Sequence, residues 1–248
     1  MIINNNEDLI IYMIISFLVF TIILCMNSEK RENFGNYGKG ELINILTRTG
    51  NREKCYKNLI DSLNKQTYKN FRHIKSNDNK NCSFLKNDKD VINVDKVKKY
   101  NHHHCPYNSY LNKLIDNVNE GWIIILDDDA KFIDEKYLEN LSNELKNCKK
   151  EEVLVTNIYN SNKKEMIPNL NPSNSSEGHL RNIQYGSLDM GCLIFHHTNK
   201  TRFREACGGD INFYKEGIDT YKPKFLNIKP GIWVNYSGKS DGKHSTCD

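Results

Sequence analysis

The apolar pattern of the chain begins with an unbroken run, residues 9–26 (LIIYMIISFLVFTIILCM), that contains no charge, Pro or Gly. About 18 apolar residues is the least that crosses a bilayer as a helix. A buried helix of a soluble protein would show a polar face within that many turns. Glu7 and Asp8 precede the run, where a cleavable leader carries basic residues, and no small-x-small site follows it. The expectation is an N-terminal tail, an uncleaved transmembrane helix and a short polar stalk in residues 1–38, then one domain in residues 39–248.

Beyond the stalk the period changes. Leu42-Ile43-Asn44-Ile45-Leu46 is a short apolar run of the kind buried in a parallel sheet. Cys55, Leu59, Ile60 and Leu63 then recur at helical spacing up to Gln66. Phe71 to Ile74 reads as a second strand, broken at Ser76-Asn77-Asp78-Asn79, and Val91 to Val94 as a third. Leu111, Leu114, Ile115 and Val118 share one helical face. Trp122 to Leu126 (WIIIL) is the sharpest strand signal, and Tyr137 to Leu145 is helical again. Strands alternating with helices of about 10–15 residues predict an α/β fold with an open, mostly parallel sheet flanked by helices. Residues 160–177 are polar and rich in Asn and Ser, and read as a mobile loop.

Composition narrows the classes. Across 248 residues, 35 basic side chains nearly balance 31 acidic ones, for a net charge of +4. No concentrated basic face is implied, so nucleic acid is not an expected partner. Eight cysteines without a CxxC pair argue against a zinc ribbon. Lys30 and Arg31 follow the apolar run and no Lys or Arg precedes it, which favours a cytosolic domain. Asn-x-Ser/Thr sites begin at Asn81, Asn140, Asn174, Asn199 and Asn235, about the number that chance supplies in an Asn-rich chain. A single-pass location in the endomembrane system is expected, with its side open.

In an open α/β sheet, ligands bind beyond the carboxyl ends of the strands. Three predicted strand ends carry distinctive polar groups: Thr47-Arg48, Asp78, and Asp127-Asp128-Asp129. Three carboxylates after an apolar strand repel one another unless a cation or strong donors neutralise them. Oxygen ligands of this kind suit Mg²⁺ or Mn²⁺, which keep coordination positions open for substrate phosphates. The competing reading is an acidic, solvated turn ahead of the next helix.

With these residues in view, ILTRTGNREKCYKNLIDSLNKQTYKNFRHIKSND, PYNSYLNKLIDNVNEG and GWIIILDDDAKF together resemble the opening half of family 2 glycosyltransferases, which have the GT-A fold. The resemblance runs from Leu42 to Phe132, with a looser continuation to Asp210. It implies a nucleotide-sugar donor lying along Thr47 and Arg48, with Asp78 accepting from its base or ribose. Asn108 and Asn112 match positions beside the nucleotide. Asp127 and Asp129 would be the Asp-x-Asp pair, with Asp129 the direct ligand of a divalent cation, Mn²⁺ or Mg²⁺, and Asp128 acting through the local field. Asp210, in CGGDINFY, resembles the base of an inverting enzyme, though Asp is also a common helix N-cap. Asp189, in SLDMGCLIF, would sit on the acceptor-side wall, and His244 in the C-terminal tail is a candidate third metal ligand.

His102-His103-His104 reads as a polar rim, since adjacent histidines cannot all face one ion. His196-His197 reads as surface or support for the site. The expected function is metal-dependent, inverting transfer of a sugar from a nucleotide donor to an unknown glycan, protein or lipid acceptor. The rivals are a nucleotidyltransferase that makes sugar nucleotides and a catalytically degenerate binding protein.

Overall fold

The computed structural model describes residues 40–49, 52–77, 82–85, 88, 90–94, 107–184, 186–205 and 209–234. The chain divides into two compact units, Met1–Tyr37 and Gly38–Asp248, and every described residue belongs to the second. Residues 9–26, Asp78, His102 to His104 and His244 lie outside the described residues. No helix among the described residues is long and apolar enough to cross a membrane.

The main sheet has seven strands. In chain order these are β1 (Ile43–Thr49), β2 (Phe71–Asn77), β3 (Val91–Asn93), β4 (Trp122–Ile125), β6 (Glu152–Val155), β9 (Leu193–His196) and β10 (Lys222–Phe225). Their spatial order is β10-β6-β9-β4-β1-β2-β3. All neighbours pair in parallel except β9, which runs antiparallel to both β4 and β6. The expected open, mostly parallel sheet is therefore present. β4 is buried along its whole length because sheet neighbours flank it on both sides.

Gly121 permits the close start of β4. Its φ of +82° suits only glycine well, and a Cβ there would lie 2.5 Å from the Leu42 carbonyl oxygen. That same carbonyl accepts from the Trp122 amide at 2.9 Å, which fixes the β1–β4 register.

Helix α1 (Glu53–Asn64) buries Cys55, Leu59 and Leu63 on one face, as their spacing predicts. Helices α2 (Tyr107–Asp116) and α3 (Tyr137–Leu145) bury Leu111, Leu114 and Ile115, and Leu138, Leu141 and Leu145. α2 packs on β1 and β2. α4 (Glu177–Arg181) and α5 (Gly209–Thr220) pack on β10. Cys55 is disulfide-bonded, whereas Cys148 and Cys192 carry free thiols.

Two expectations need correction. The loop over residues 160–177 is ordered structure. It holds the turn between β7 (Ile158–Asn160) and β8 (Glu165–Ile167), then β8 itself and a 3₁₀ turn. The Asn160 side chain accepts from the amides of Asn162 at 3.1 Å and Lys163 at 3.0 Å, which builds the turn from polar residues. β7 and β8 join β5 (Ala130–Phe132) and β11 (Ile232–Val234) in a second, four-stranded sheet of order β5-β11-β7-β8. β2 also continues through Ser76 and Asn77, because Asn77 pairs with Thr49 on one side and Asn93 on the other.

Candidate functional site

β1 and β4 are adjacent and parallel, so their carboxyl ends deliver Arg48 and Asp127 to one place. The Arg48 guanidinium lies 3.6 Å from Asp127 and 4.7 Å from the centre of the Tyr107 ring, at the start of α2. These three residues line a cavity of about 660 Å³ together with Leu188, Asp189, Met190 and, from α5, Gly209, Asp210 and Ile211. Asn160 and Lys163, from the β7–β8 hairpin, belong to the same lining.

The three consecutive acids do different things. Asp127, with a side chain 52% exposed, opens to the cavity. Asp128, only 2% exposed, turns inward, where the Thr49 hydroxyl donates to it at 2.8 Å and Arg52 forms an ion pair. Asp129 lies between these extremes and takes the other arm of Arg52 at 2.6 Å. Thr49 and Arg52 were not singled out from the sequence. The signal that could have found them is charge balance: three acids at one strand end require donors, and the β1–α1 connection is their nearest basic neighbour.

Burial dominates the behaviour of these acids. Burial and the charges of Asp127, Asp128 and Asp189 push the Asp129 carboxyl up to about 7, against the opposing pull of Arg52. Burial raises Asp128 to about 6 even with Arg52 beside it. Asp210 is raised well above the usual carboxylate range by burial and by Asp189 and Asp127, with Arg48 the one opposing charge. Asp189 is fixed by a 2.7 Å hydrogen bond from the Gly191 amide to one of its oxygens.

Not every predicted residue reaches the cavity. The Thr47 hydroxyl bonds the His73 ring at 2.9 Å instead, because alternate side chains of β1 point to opposite faces. Asn112 clamps the backbone of Phe203, donating to its carbonyl at 2.9 Å and accepting from its amide at 2.8 Å. Asn108 does line the cavity, and it also donates to the Arg204 carbonyl at 2.5 Å. The two asparagines, one helical turn apart, thus hold the segment that leads to α5 and Asp210. His196 packs its ring against Trp122, 5.3 Å between centres, and burial lowers it to about 4.

The raised carboxyls set a pH dependence. An acid whose folded pKa is raised contributes more stability as pH falls through that value, so Asp129 and Asp128 favour folding on descent from pH 8. His73 is lowered to about 3 and His196 to about 4, so below their ordinary 6.5 the unfolded chain takes up protons that the fold refuses. In chelator, the thermal midpoint of the wild-type chain should therefore gain on that of Asp129→Asn between pH 8 and pH 6.5, a comparison in which the histidines cancel. A difference between the two that does not move with pH would contradict the description of the acidic cluster.

Among the described residues, no three His, Cys, Asp or Glu side chains already converge on a metal-holding arrangement. The donor chemistry nonetheless fits a hard divalent cation. Asp127 offers an exposed carboxylate at the cavity, and Asp129, two residues on, stands outside the cavity lining with its carboxylate held by Arg52.

A family model described as glycosyl transferase family 2 matches residues 45–208. No curated protein matches the sequence. Among solved structures, S. aureus TarS is similar with a TM-score of 0.62 at 14% identity, covering 79% of this chain and 37% of that one. TarS 1–349 in complex with UDP gives 0.57 at 14% identity, covering 78% of this chain and 60% of that one. The same TarS piece in complex with UDP-GlcNAc gives 0.52 at 16% identity, covering 82% and 60%. At these identities the likeness establishes the fold. The chain spans less than two thirds of the length of each of these neighbours.

Proposed function

The chain belongs to glycosyl transferase family 2, and on that premise we propose that its cavity transfers a sugar from a nucleoside-diphosphate donor to an acceptor hydroxyl, with inversion. The observation that carries this reading is that Arg48, Asp127, Asp189 and Asp210 line a single cavity. Similar TarS structures hold UDP and UDP-GlcNAc, which supports a uridine nucleotide as the donor's leaving part.

Each of these side chains then has a task. Arg48, kept in place by the Tyr107 ring and Asp127, is positioned to take a phosphate oxygen through its fork of donors. Asp127 and Asp129 would hold the divalent cation, which when bound would neutralise charge on the departing diphosphate. Asp210 removes the acceptor hydroxyl proton. Its raised pKa brings its basicity closer to the operating pH, which is where a general base is most effective. Asp189 helps to keep that value high by its charge. Apolar Leu188, Met190 and Ile211 line the same cavity and limit water around the reacting centre.

Residues 9–26 would fix this domain to a membrane as a single-pass anchor. One preparation tests both parts. The full chain should sediment with membranes and, once extracted in mild detergent with Mn²⁺, should hydrolyse or transfer from one class of UDP- or GDP-sugar in a donor screen. A chain that stays soluble removes the anchor. A chain inert toward every nucleotide sugar, with UDP binding intact, favours the non-catalytic binding protein.

A further inference from the structure

Arg52 is the least expected member of the site. It stands at the N-terminus of α1, where its own side chain makes no helix cap. It reaches across to the end of β4 instead, pairing one arm with Asp128 and the other, at 2.6 Å, with Asp129. The two partners are held unequally. Asp128 is almost wholly buried and is secured a second time by Thr49, so its pair with Arg52 has no wet alternative. Asp129, with a side chain 12% exposed against 2% for Asp128, is the wetter of the two partners.

We propose that Arg52 is a resident counter-cation that competes with the divalent ion for Asp129, so that its grip sets the site's metal affinity. The inference rests on the metal reading given above. Metal entry would exchange the Arg52 arm on Asp129 for the ion, while the arm on Asp128 stays and keeps the guanidinium from drifting away. No charge need leave the site. The fork geometry of arginine permits this half-release, since its two arms bond independently.

Mn²⁺ binding to the full chain, without donor, is read from loss of the hydrated-ion electron paramagnetic resonance signal at pH 8. Removing a neighbouring positive charge from a partly buried site changes affinity for a divalent ion by about tenfold or more. Arg52→Gln should therefore bind Mn²⁺ at least about tenfold more tightly than wild type. Asp128→Asn frees Arg52 from its buried anchor to hold Asp129 alone, and should bind Mn²⁺ several-fold more weakly although Asp128 is no ligand.

A folded Arg52→Gln chain that binds no tighter overturns the inference and leaves the metal reading standing. Should Arg52→Gln fail to fold, by far-ultraviolet circular dichroism, Asp128→Asn decides, and unchanged or tighter binding there overturns the inference. A wild-type chain that takes up no Mn²⁺ even with UDP overturns the metal reading together with it.

Discussion

Asp129→Asn is expected to remove turnover while sparing the fold. The substitution deletes one negative charge from a cluster whose members repel, and the carboxyl at this place is pushed up to about 7 because the fold tolerates its ionised form poorly. Asn has the same shape and its amide oxygen still accepts from Arg52, while Asp128 keeps its own pair with that guanidinium. The thermal midpoint at pH 8 should accordingly be equal to or above that of wild type. Metal affinity should collapse, and with it the neutralisation of the leaving diphosphate. Several kcal/mol of electrostatic stabilisation corresponds to a loss of about 10³ or more in transfer rate. A chelator should impose the same loss on wild type and add nothing to the variant. Near-normal transfer by the variant would refute the metal assignment. A large drop in midpoint would instead make Asp129 a structural partner of Arg52.

Asp210→Asn should separate transfer from donor binding. Asp210 lines the cavity from the first turn of α5, and no side-chain hydrogen bond holds it among the described residues. Its carboxyl is raised by burial and by two neighbouring acids, the condition of a base kept near its working range. Asn removes proton acceptance and leaves Arg48 and Asp127 untouched. UDP affinity by calorimetry should stay within a few-fold, while transfer falls by roughly 10²–10⁴. If Asp210 merely favours the helix start, Asn serves about as well and neither quantity moves. Parallel loss of both would place Asp210 in the donor site and end its assignment as the base.

Much of the fold could be read from local pattern. WIIIL declares a buried central strand and the Cys55–Leu63 spacing declares a helix, because burial on both faces or on one face writes its period directly into the sequence. The β7–β8 hairpin could not be read that way. Its residues are Asn- and Lys-rich, and they form strands only because β11, some 70 residues later, supplies an edge to pair with. The Asx turn at Asn160 was the available local clue. The site divides similarly. Arg48, Asp127, Asp189 and Asp210 could be picked out beforehand and are brought together by the fold. Thr47 and Asn112 could be picked out too, but their polar atoms serve His73 and Phe203, a choice made by strand parity and by a segment 91 residues away. Arg52 escaped notice because turn residues carry no period, and only the three-dimensional adjacency of β1 and β4 gives it a partner.

The antiparallel β9 has a consequence for variation along the chain. β4 is a seam: the strands on its β1 side come from the chain before residue 94, and those on its β9 side from the chain after residue 151. The first flank supplies Arg48, the second supplies Asp189 just before β9, and α5 follows with Asp210. A change confined to the second block therefore alters Asp189, Asp210 and their surroundings while Arg48 stays in place.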